Sequence, residues 1–389
     1  MSAAVAPARP RVALLTNMVP PYRVPVYRAL AEAFRLHLHY DGGEDNRRGW
    51  DACVAAVGAA AVHRVRGAVV RRDLRRPGHA GVFENHYLHL RFGHLGALWR
   101  ARPDAVITNE MGVRTLMALL YGALRGRPVW VCWEGTPHTQ RLNGRLRRLV
   151  HAVVARWARR WISFGDEPTA YLASLGVPRD RVLQVQNCVD DETFRRPAAP
   201  AFTLAPKPVV LHVGRLVGLK GVPHLLDAAA ALQREGRRFS LLLVGDGPER
   251  EALVARADAL GLRDVHFVPE VPAGVMPAVY RSADVLVMPT LHDVWGLVVN
   301  EALWAGLPVL ASKYAGCAAE LLPPEQVFDP EDGARLVALL RRALDGALPP
   351  ADPGRMLTPR EVAARVVADV RRVLGARVAA SPLARAAEA

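Results

Sequence analysis

Two acidic and two basic residues in the second half of the chain have types and spacings suited to holding a charged ligand. Seven residues separate Asp293 from Glu301. This spacing places the first carboxylate in a loop before a helix and the second about one turn inside it, so both can face a ligand at the helix N-terminus, where free N–H groups attract phosphate. Arg215 and Lys220 lie just beyond an apolar strand segment. Two cations and two acids at strand ends suit a nucleotide diphosphate that carries a sugar.

Alternating strand and helix patterns must position these residues. Apolar runs predict strands near 11–16, 36–40, 105–108, 129–133, 161–164, 182–186, 209–213, 239–244, 264–268, 284–289, 308–311 and 326–328. Because strands that alternate with helices are typical of parallel sheets, we predict an α/β protein with two doubly wound Rossmann-like domains that face a central cleft. Residues 41–100 show no clear pattern, and we expect loops with one or two helices there.

A Pro- and Ala-rich stretch, Arg195 to Pro208, predicts a linker between the two domains. We therefore expect an N-terminal domain over residues 1–200 and a C-terminal domain over residues 201–375. An Ala-rich segment, residues 376–389, is predicted to be a flexible tail.

Composition narrows the class of protein. The chain has 389 residues, of which 51% are hydrophobic, as expected for a globular α/β protein. No run of about 18 apolar residues and no apolar signal core are present, so we expect a cytoplasmic protein. The four cysteines lack metal or redox spacing and are expected to be reduced thiols.

The positive charge lies in one half of the chain. Residues 1–200 contain 30 Arg and 16 Asp plus Glu, whereas residues 201–389 contain 21 basic and 21 acidic residues. The formal net charge of +14 therefore belongs to the first half. A strong preference for Arg over Lys, 48 against 3, is typical of a GC-rich genome but does not explain this asymmetry. A basic half can steer anionic substrates or rest on an anionic membrane surface.

Several motifs in a fixed order resemble glycosyltransferase family 4, whose members are retaining enzymes of GT-B fold. The motifs are GRLVGLKG at Gly214–Gly221, LLLVGDGPER at Leu241–Arg250, VHFVPEV at Val265–Val271, the Asp293–Glu301 element, AGLPVLAS at Ala305–Ser312 and the segment Tyr171–Phe194. The resemblance implies an acceptor-binding N-terminal domain and a C-terminal domain that binds a nucleotide sugar.

The resemblance also implies roles for single residues on the donor side. Arg215 and Lys220 would hold the donor diphosphate, Asp293 would contact hydroxyls of the transferred sugar, and Glu301 would bind the ribose hydroxyls. Further donor contacts are implied for Gly214, for Val268 near the base, for the N–H groups of Leu297 and Val298, and for Pro21 and Arg23 in the loop that would close over the phosphates.

The chain departs from the family pattern at two positions, one on the donor side and one on the acceptor side. The first acidic residue of the family's motif is usually Glu. Asp293 is shorter by one methylene group, so either its loop lies closer to the transferred sugar or it contacts a different sugar hydroxyl. The family's usual histidine in the N-terminal domain is not obvious. Glu134, at the end of a predicted strand, is our candidate for this wall of the site, with His138 nearby. Glu110 is a further acidic candidate on the acceptor side.

The implied chemistry is transfer through an oxocarbenium-like transition state, with negative charge growing on the leaving phosphate. Arg215 and Lys220 would stabilise that charge. No metal-ligand spacing is visible, and two cations can replace a divalent ion, so we expect no metal and no cofactor besides the nucleotide-sugar donor. No carboxylate can be assigned beneath the anomeric carbon, which favours a same-face mechanism.

The sequence does not distinguish between three classes of acceptor, namely a glycan, a lipid-linked acceptor and a small molecule such as an aminocyclitol. Arg141–Trp161 contains seven Arg with Leu, Val and Trp between them, and Val69–Gly78 is a second basic cluster. The first segment could rest on an anionic inner membrane face or be an ordinary solvated helix. We expect no nucleic-acid partner, because no helix-turn-helix, zinc or aromatic stacking pattern accompanies the charge.

We therefore predict a retaining, nucleotide-sugar-dependent glycosyltransferase. Two alternatives stay open at this stage. A nucleotide-sugar epimerase of GT-B fold would keep the donor site but need no acceptor, and a non-catalytic nucleotide-sugar-binding scaffold would bind without turnover.

Overall fold

The computed structural model describes residues 9–42, 50–65, 67–74, 84–141 and 143–379. Residues 380–389 of the predicted tail and residues 75–78 of the second basic cluster lie outside this part of the chain. Within the described ranges, no helix is both long and apolar enough to cross a lipid bilayer.

The first half of the chain is built around a parallel sheet. Its strands and helices are β1 (Arg11–Thr16), α1 (Val24–Ala33), β2 (Arg35–Tyr40), α2 (Cys53–Ala56), β3 (Ala61–Arg64), β4 (Ala68–Leu74), β5 (Glu84–Leu90), α3 (His94–Ala101), β6 (Ala105–Asn109), α4 (Val113–Arg125), β7 (Val129–Trp133), α5 (Arg145–Trp157), β8 (Arg160–Phe164), α6 (Asp166–Ser174), β9 (Val182–Val185) and α7 (Asp191–Arg195). Over the described residues, seven of these strands form one sheet in the order β3-β2-β1-β6-β7-β8-β9. Central strands such as β7 are buried along their whole length, because helices cover both faces of the sheet.

The second half of the chain repeats this architecture. Its elements are β10 (Val209–Val213), α8 (Val222–Arg234), β11 (Ser240–Val244), α9 (Arg250–Ala259), β12 (Val265–Val268), α10 (Met276–Tyr280), β13 (Val285–Met288), α11 (Leu297–Trp304), β14 (Val309–Ser312), α12 (Ala318–Leu321), β15 (Val327–Phe328), α13 (Gly333–Leu344) and α14 (Pro359–Ala379). Its strands pair in parallel in the order β12-β11-β10-β13-β14-β15. The predicted pair of doubly wound α/β domains is confirmed.

The prediction for residues 41–100 was wrong in part. Besides α2 and α3, this region contains β3, which pairs in parallel with β2, and an antiparallel hairpin of β4 and β5. β3 is four residues long and only one of its faces is half-buried. Such a short edge strand is held by backbone pairing to β2 and carries little apolar pattern. The arginine- and histidine-rich sequences of β4 and β5 likewise lack the alternation that indicates a strand.

The last helix returns to the first sheet. The sequence placed α14 in the C-terminal domain, but its apolar side packs against α1, with Val362, Val366 and Val370 in the same buried cluster as Leu30. The indole N–H of Trp130 in β7 donates a hydrogen bond of 2.8 Å to Asp369 in α14. The predicted residue limits of the domains stay a prediction.

Candidate functional site

The candidate site lies where the carboxyl ends of the two sheets face each other. Lys220 ends a short turn after β10, and Asp293 lies in the loop after β13. The Lys220 Nζ and Asp293 Oδ2 atoms are 2.6 Å apart, and both side chains are largely buried. The residue predicted to bind the donor phosphate, Lys220, and the residue predicted to bind the transferred sugar, Asp293, therefore form one ion pair.

A glycine allows the two loops to approach each other. Gly221, directly after Lys220, has a φ of +65°, and a Cβ atom there would lie 2.1 Å from the carbonyl oxygen of Pro289. The backbone N–H of Leu291 also donates to the carbonyl of Leu219 at 2.7 Å. Because only glycine tolerates both the left-handed conformation and the short distance, Gly221 fixes Lys220 against the loop that carries Asp293.

Asp293 is held as an ionised, oriented carboxylate. Burial acts to raise its pKa, but the ammonium group of Lys220 and the backbone N–H of Trp295 hold the pKa below its ordinary value. Oδ1 of Asp293 accepts a hydrogen bond of 3.1 Å from the N–H of Trp295, and the N–H of Asp293 donates to Tyr314. Such a carboxylate can accept hydrogen bonds from ligand hydroxyl groups.

Glu301 lies one turn inside α11, as the sequence predicted. Its Oε2 accepts a hydrogen bond of 2.6 Å from the hydroxyl group of Tyr280 in α10. Burial raises the pKa of Glu301 to about 7, although the Tyr280 bond acts in the opposite direction. The protonation of Glu301 therefore changes close to neutral pH.

The N-terminus of α11 lies between these two carboxylates. Leu297 and Val298 are the first two residues of α11 and are half-buried. The first N–H groups of a helix have no partner inside it, so this end can receive an anion. Gly296 precedes the helix with a φ of +102°, and a Cβ atom there would lie 2.8 Å from Met288 Cε. The tight turn into α11 therefore requires glycine.

Two further predicted donor residues, Gly214 and Val268, lie at neighbouring strand ends. Gly214 follows β10 and Val268 ends β12, and Gly245 follows β11, the strand between them. The N–H of Gly214 donates to Val244, the N–H of Gly245 donates to Val268, and a Cβ atom on Gly245 would lie 2.0 Å from the Gly214 carbonyl oxygen. Arg215, the next residue along, is exposed to solvent.

Arg23 has a structural setting that its sequence did not indicate. The guanidinium group is buried over the ring of Phe164, at 3.8 Å from the centroid, and it donates hydrogen bonds to Glu134 and, at 2.6 Å, to Asn187. Burial acts to lower the pKa of Arg23, but the carboxylate of Glu134 holds it above the ordinary value. Pro21 is exposed at the start of the same turn. The predicted contacts of Pro21 and Arg23 with donor phosphates stay predictions.

His138 connects the two halves of the molecule. Its Nε2–H donates a hydrogen bond of 3.0 Å to the carbonyl of Leu291, and its ring stacks on Tyr314 at 4.2 Å between centroids. Leu291 and Tyr314 flank the backbone around Asp293. His138, predicted for the acceptor side, therefore contacts the loop that carries a predicted donor ligand.

Glu110 is separate from these groups. It is exposed after β6, with a φ of +68°, and its Oε2 lies 3.7 Å from Arg114. Arg114 in turn donates a hydrogen bond of 2.6 Å to Asp41, which also accepts from His94 at 2.8 Å, with Arg91 at 3.9 Å. This buried cluster at the end of β2 was missed, because its members come from three distant segments of the sequence.

Two other contacts near the site were missed. Tyr280 gives no local signal, because it lies in another helix than its partner Glu301. The indole N–H of Trp295 donates to Asn300 at 2.7 Å, and its ring lies against Gly165, where a Cβ atom would be 2.5 Å from the ring. Gly165, directly after β8, was the one feature of the sequence that could have indicated this close approach of the Trp295 ring.

Within the part of the chain that the structure describes, no group of three His, Cys, Asp or Glu side chains is arranged to hold a metal ion. The charged groups of the candidate site are instead Lys220 and Arg215 on the cationic side and Asp293 and Glu301 on the anionic side.

Sequence comparisons connect the chain to sugar-transferring proteins. A family model described as "Glycosyl transferases group 1" matches residues 199–354. The 2-deoxystreptamine glucosyltransferase of Streptomyces kanamyceticus is 34% identical over 60% of this chain and 67% of its own length. The D-inositol 3-phosphate glycosyltransferase of Nocardia farcinica is 36% identical over 64% of this chain and 55% of its own length. The chain thus spans between about half and two thirds of these relatives.

Solved structures confirm the predicted fold. The structure of Anabaena HepE in complex with UDP has a TM-score of 0.67 and 17% identity, covering 95% of this chain and 98% of the other. Sucrose-phosphate synthase from Thermosynechococcus elongatus has a TM-score of 0.64 and 19% identity, covering 96% of this chain and 100% of the other. At these identities the likeness concerns the GT-B fold alone.

Proposed function

Because the chain belongs to the family of glycosyl transferases group 1, we propose that it is a retaining enzyme of glycosyltransferase family 4 that moves a hexosyl group from a nucleotide-diphosphate sugar to an acceptor hydroxyl group. The observation that carries the proposal is the position of Lys220, Asp293 and Glu301 around the N-terminus of α11. This arrangement offers a cation, a helix end and two carboxylates within one edge of a sheet.

Each part of the donor has a partner of suitable chemistry. Lys220 turns from Asp293 to the diphosphate when the donor enters, and exposed Arg215 closes on it from solvent. The free N–H groups of α11 bind the distal phosphate. Asp293 accepts hydrogen bonds from the transferred sugar, and ionised Glu301 accepts them from the ribose hydroxyls.

The reaction breaks the bond between the anomeric carbon and the diphosphate oxygen, whose electron pair leaves with the diphosphate. The acceptor oxygen forms a new bond to the anomeric carbon on the same face. Its proton passes to an oxygen of the leaving phosphate. Lys220, Arg215 and the helix N–H groups stabilise the growing negative charge, and a single group of this kind contributes roughly 10²–10³ in rate. Because two side-chain cations supply this charge, we propose that a chelator leaves the rate unchanged.

The acceptor we favour is a cyclitol, a ring that carries several hydroxyl groups. The two relatives named above act, by their names, on 2-deoxystreptamine and on D-inositol 3-phosphate, which are both cyclitols. Glu134, oriented by Arg23, is a half-buried carboxylate at the end of β7 that can accept hydrogen bonds from acceptor hydroxyl or ammonium groups. Exposed Glu110 offers a second carboxylate further along the same sheet edge.

A donor screen followed by an acceptor screen tests the proposal. Thermal shifts are measured with UDP-, GDP-, ADP- and dTDP-sugars, and transfer to inositol and 2-deoxystreptamine is then followed by mass spectrometry. We expect a shift with one nucleotide family that is lost in Lys220→Ala and in Glu301→Ala. Lys313→Ala is the matched control, because this lysine pairs with Asp329 on the surface. Donor epimerisation without an acceptor, or binding with no transfer to any acceptor, would contradict the proposal.

A further inference from the structure

Three neighbouring helices on one face of the first sheet form a surface of unusual composition. α3 packs beside α4, and α4 packs beside α5. We call these three helices the basic helix layer. Their sequences contain no Asp or Glu. Six of their arginines are exposed, namely Arg100, Arg125, Arg145, Arg147, Arg148 and Arg156.

Apolar side chains lie exposed among these charges. In α5, Leu146, Leu149 and Trp157 are 75%, 61% and 58% exposed. Together with half-buried Val153 they are spaced by three, four and four residues, so they form one stripe along the helix. The opposite side of α5, which includes Val154, packs into the protein core. α5 therefore has two apolar faces, and only one of them is covered by the described residues.

The neighbouring helices α3 and α4 also expose apolar side chains. Leu124 at the end of α4 is 62% exposed, and Trp99 of α3 is half-exposed with the guanidinium group of Arg125 5.4 Å from its ring centroid. Asp104 follows α3 and is paired with Arg127, and Glu110 precedes α4 and lies 3.7 Å from Arg114. The three helices themselves thus expose Arg, Leu and Trp side chains and contain no acidic residue.

We propose that the basic helix layer docks on an anionic lipid surface. Arginine side chains attract anionic headgroups, while leucine and tryptophan side chains enter the boundary between headgroups and acyl chains. A nucleic-acid surface would use the arginines but would leave Leu146 and Leu149 in water. The proposal rests on this surface alone and does not require the proposed transfer reaction.

Docking would also orient the cleft. α5 begins directly after the loop that carries His138, and His138 contacts Leu291 in the second half. The N-terminal end of α5, with Arg145 and Leu146, therefore lies at the same edge as the candidate site. A docked molecule would present this edge close to the lipid headgroups.

The test measures binding of the full chain to vesicles in the absence of donor and acceptor. Phosphatidylcholine vesicles with and without phosphatidylglycerol are sedimented at about 0.1 M and about 1 M salt, because salt screens the charge contribution. We expect binding to the anionic vesicles alone, weakened at high salt. Equal sedimentation with both vesicle types would overturn the proposal.

Two sets of variants separate charge from apolar insertion. Replacing Arg145, Arg147 and Arg156 by Gln should weaken binding to anionic vesicles by roughly 100-fold, since each basic residue near such a surface contributes about a factor of five. Leu146→Ser with Leu149→Ser should weaken it by about ten-fold. The matched control replaces three exposed arginines of the second half by Gln, namely Arg234, Arg263 and Arg335.

Circular dichroism and melting curves establish that each variant folds. Equal binding by the layer variants and the control variant would refute the proposal. So would a homodimer, detected by light scattering, that the two Leu→Ser changes dissociate while vesicle binding persists. Tighter binding to an RNA oligonucleotide than to anionic vesicles, lost in the arginine variant, would likewise assign the layer to nucleic acid.

Discussion

At the scale of single residues, the Lys220–Asp293 pair couples binding to stability. Lys220→Met removes a cation from the leaving phosphate, and we expect the transfer rate to fall by roughly 10²–10³-fold. The same change leaves the buried Asp293 carboxylate without its partner at 2.6 Å, so the melting temperature should fall as well. Transfer assays and thermal melting measure the two effects separately.

A double variant separates the loss of transfer from the loss of stability. Lys220→Met combined with Asp293→Asn removes both charges, so it should recover much of the melting temperature while transfer stays low. Lys313→Met is the control for the loss of a lysine outside the site and should change neither quantity by much. If Lys220→Met and Lys313→Met transferred sugar equally fast, the assigned role of Lys220 would be wrong.

The raised pKa of Glu301 predicts that donor binding depends on pH. Its pKa is about 7, and only the ionised carboxylate accepts hydrogen bonds from two ribose hydroxyl groups. Donor affinity should therefore increase by about ten-fold between pH 6 and pH 8, since the ionised fraction rises by that factor across a pKa near 7. Calorimetric titration with the donor at several pH values measures this effect.

Two variants test whether Glu301 is the titrating group. Glu301→Gln should bind the donor more weakly, with no such change across this pH range. Tyr280→Phe removes the hydrogen bond that lowers the pKa of Glu301, so the midpoint of the profile should move to higher pH. An unchanged wild-type-like profile in Glu301→Gln would assign the titration to another group.

At the scale of elements, the start of α11 depends on one glycine. Gly296→Ala forces a side chain into a left-handed turn and toward Met288, so we expect a loss of about 1–3 kcal/mol in the free energy of unfolding. Gly375 lies inside α14 with open space around its Cα, and Gly375→Ala should stabilise the protein by about 0.5–1 kcal/mol. Urea unfolding measures both changes, and a stabilising Gly296→Ala would contradict the argument.

Elements with a long apolar pattern were predictable from the sequence, whereas those held by pairing were not. β1 and β10 have the predicted bounds, because their residues are buried between two helix layers and must be apolar. β3 and the β4–β5 hairpin were missed, because backbone hydrogen bonds to a partner strand leave few marks on short polar segments.

In the candidate site, too, some features were predictable from the sequence and others were not. Lys220, Asp293 and Glu301 were predictable, since charged residues at strand and helix ends are conspicuous in an apolar sequence. The contacts of Tyr280 with Glu301 and of Arg23 with Glu134 join separate elements, so only the folded chain reveals them.

At the scale of the whole molecule, buried neutral histidines predict sensitivity to acid. Burial lowers the pKa of His39 to about 3 and the pKa values of His151 and His212 to about 4. In the unfolded chain these groups titrate near 6.5, so the unfolded state binds more protons below that pH and the free energy of unfolding decreases as pH falls. Between pH 7 and pH 5 each contributes a loss on the order of 2 kcal/mol.

Glu301 acts in the opposite direction, because its pKa is raised in the folded state. The pKa of Glu320 is also raised, but burial lowers the pKa values of His37 and His63 as well, so the melting temperature should still decrease toward pH 5. His39→Leu should reduce this decrease, since neither ring nitrogen of His39 forms a hydrogen bond with the described residues. Equal melting temperatures at pH 5 and pH 7 would show that these histidines are not buried in neutral form.

The return of α14 to the first sheet sets an order for synthesis on the ribosome. The seven-stranded sheet and α1 leave the ribosome early, but Val362, Val366 and Val370, which cover α1, follow only after the entire second sheet. During translation the part of α1 that contacts α14 is therefore uncovered, and such transiently exposed surfaces are sites for chaperones and for aggregation. A nascent chain arrested before residue 359 should accordingly recruit chaperones more strongly than one released with α14 complete.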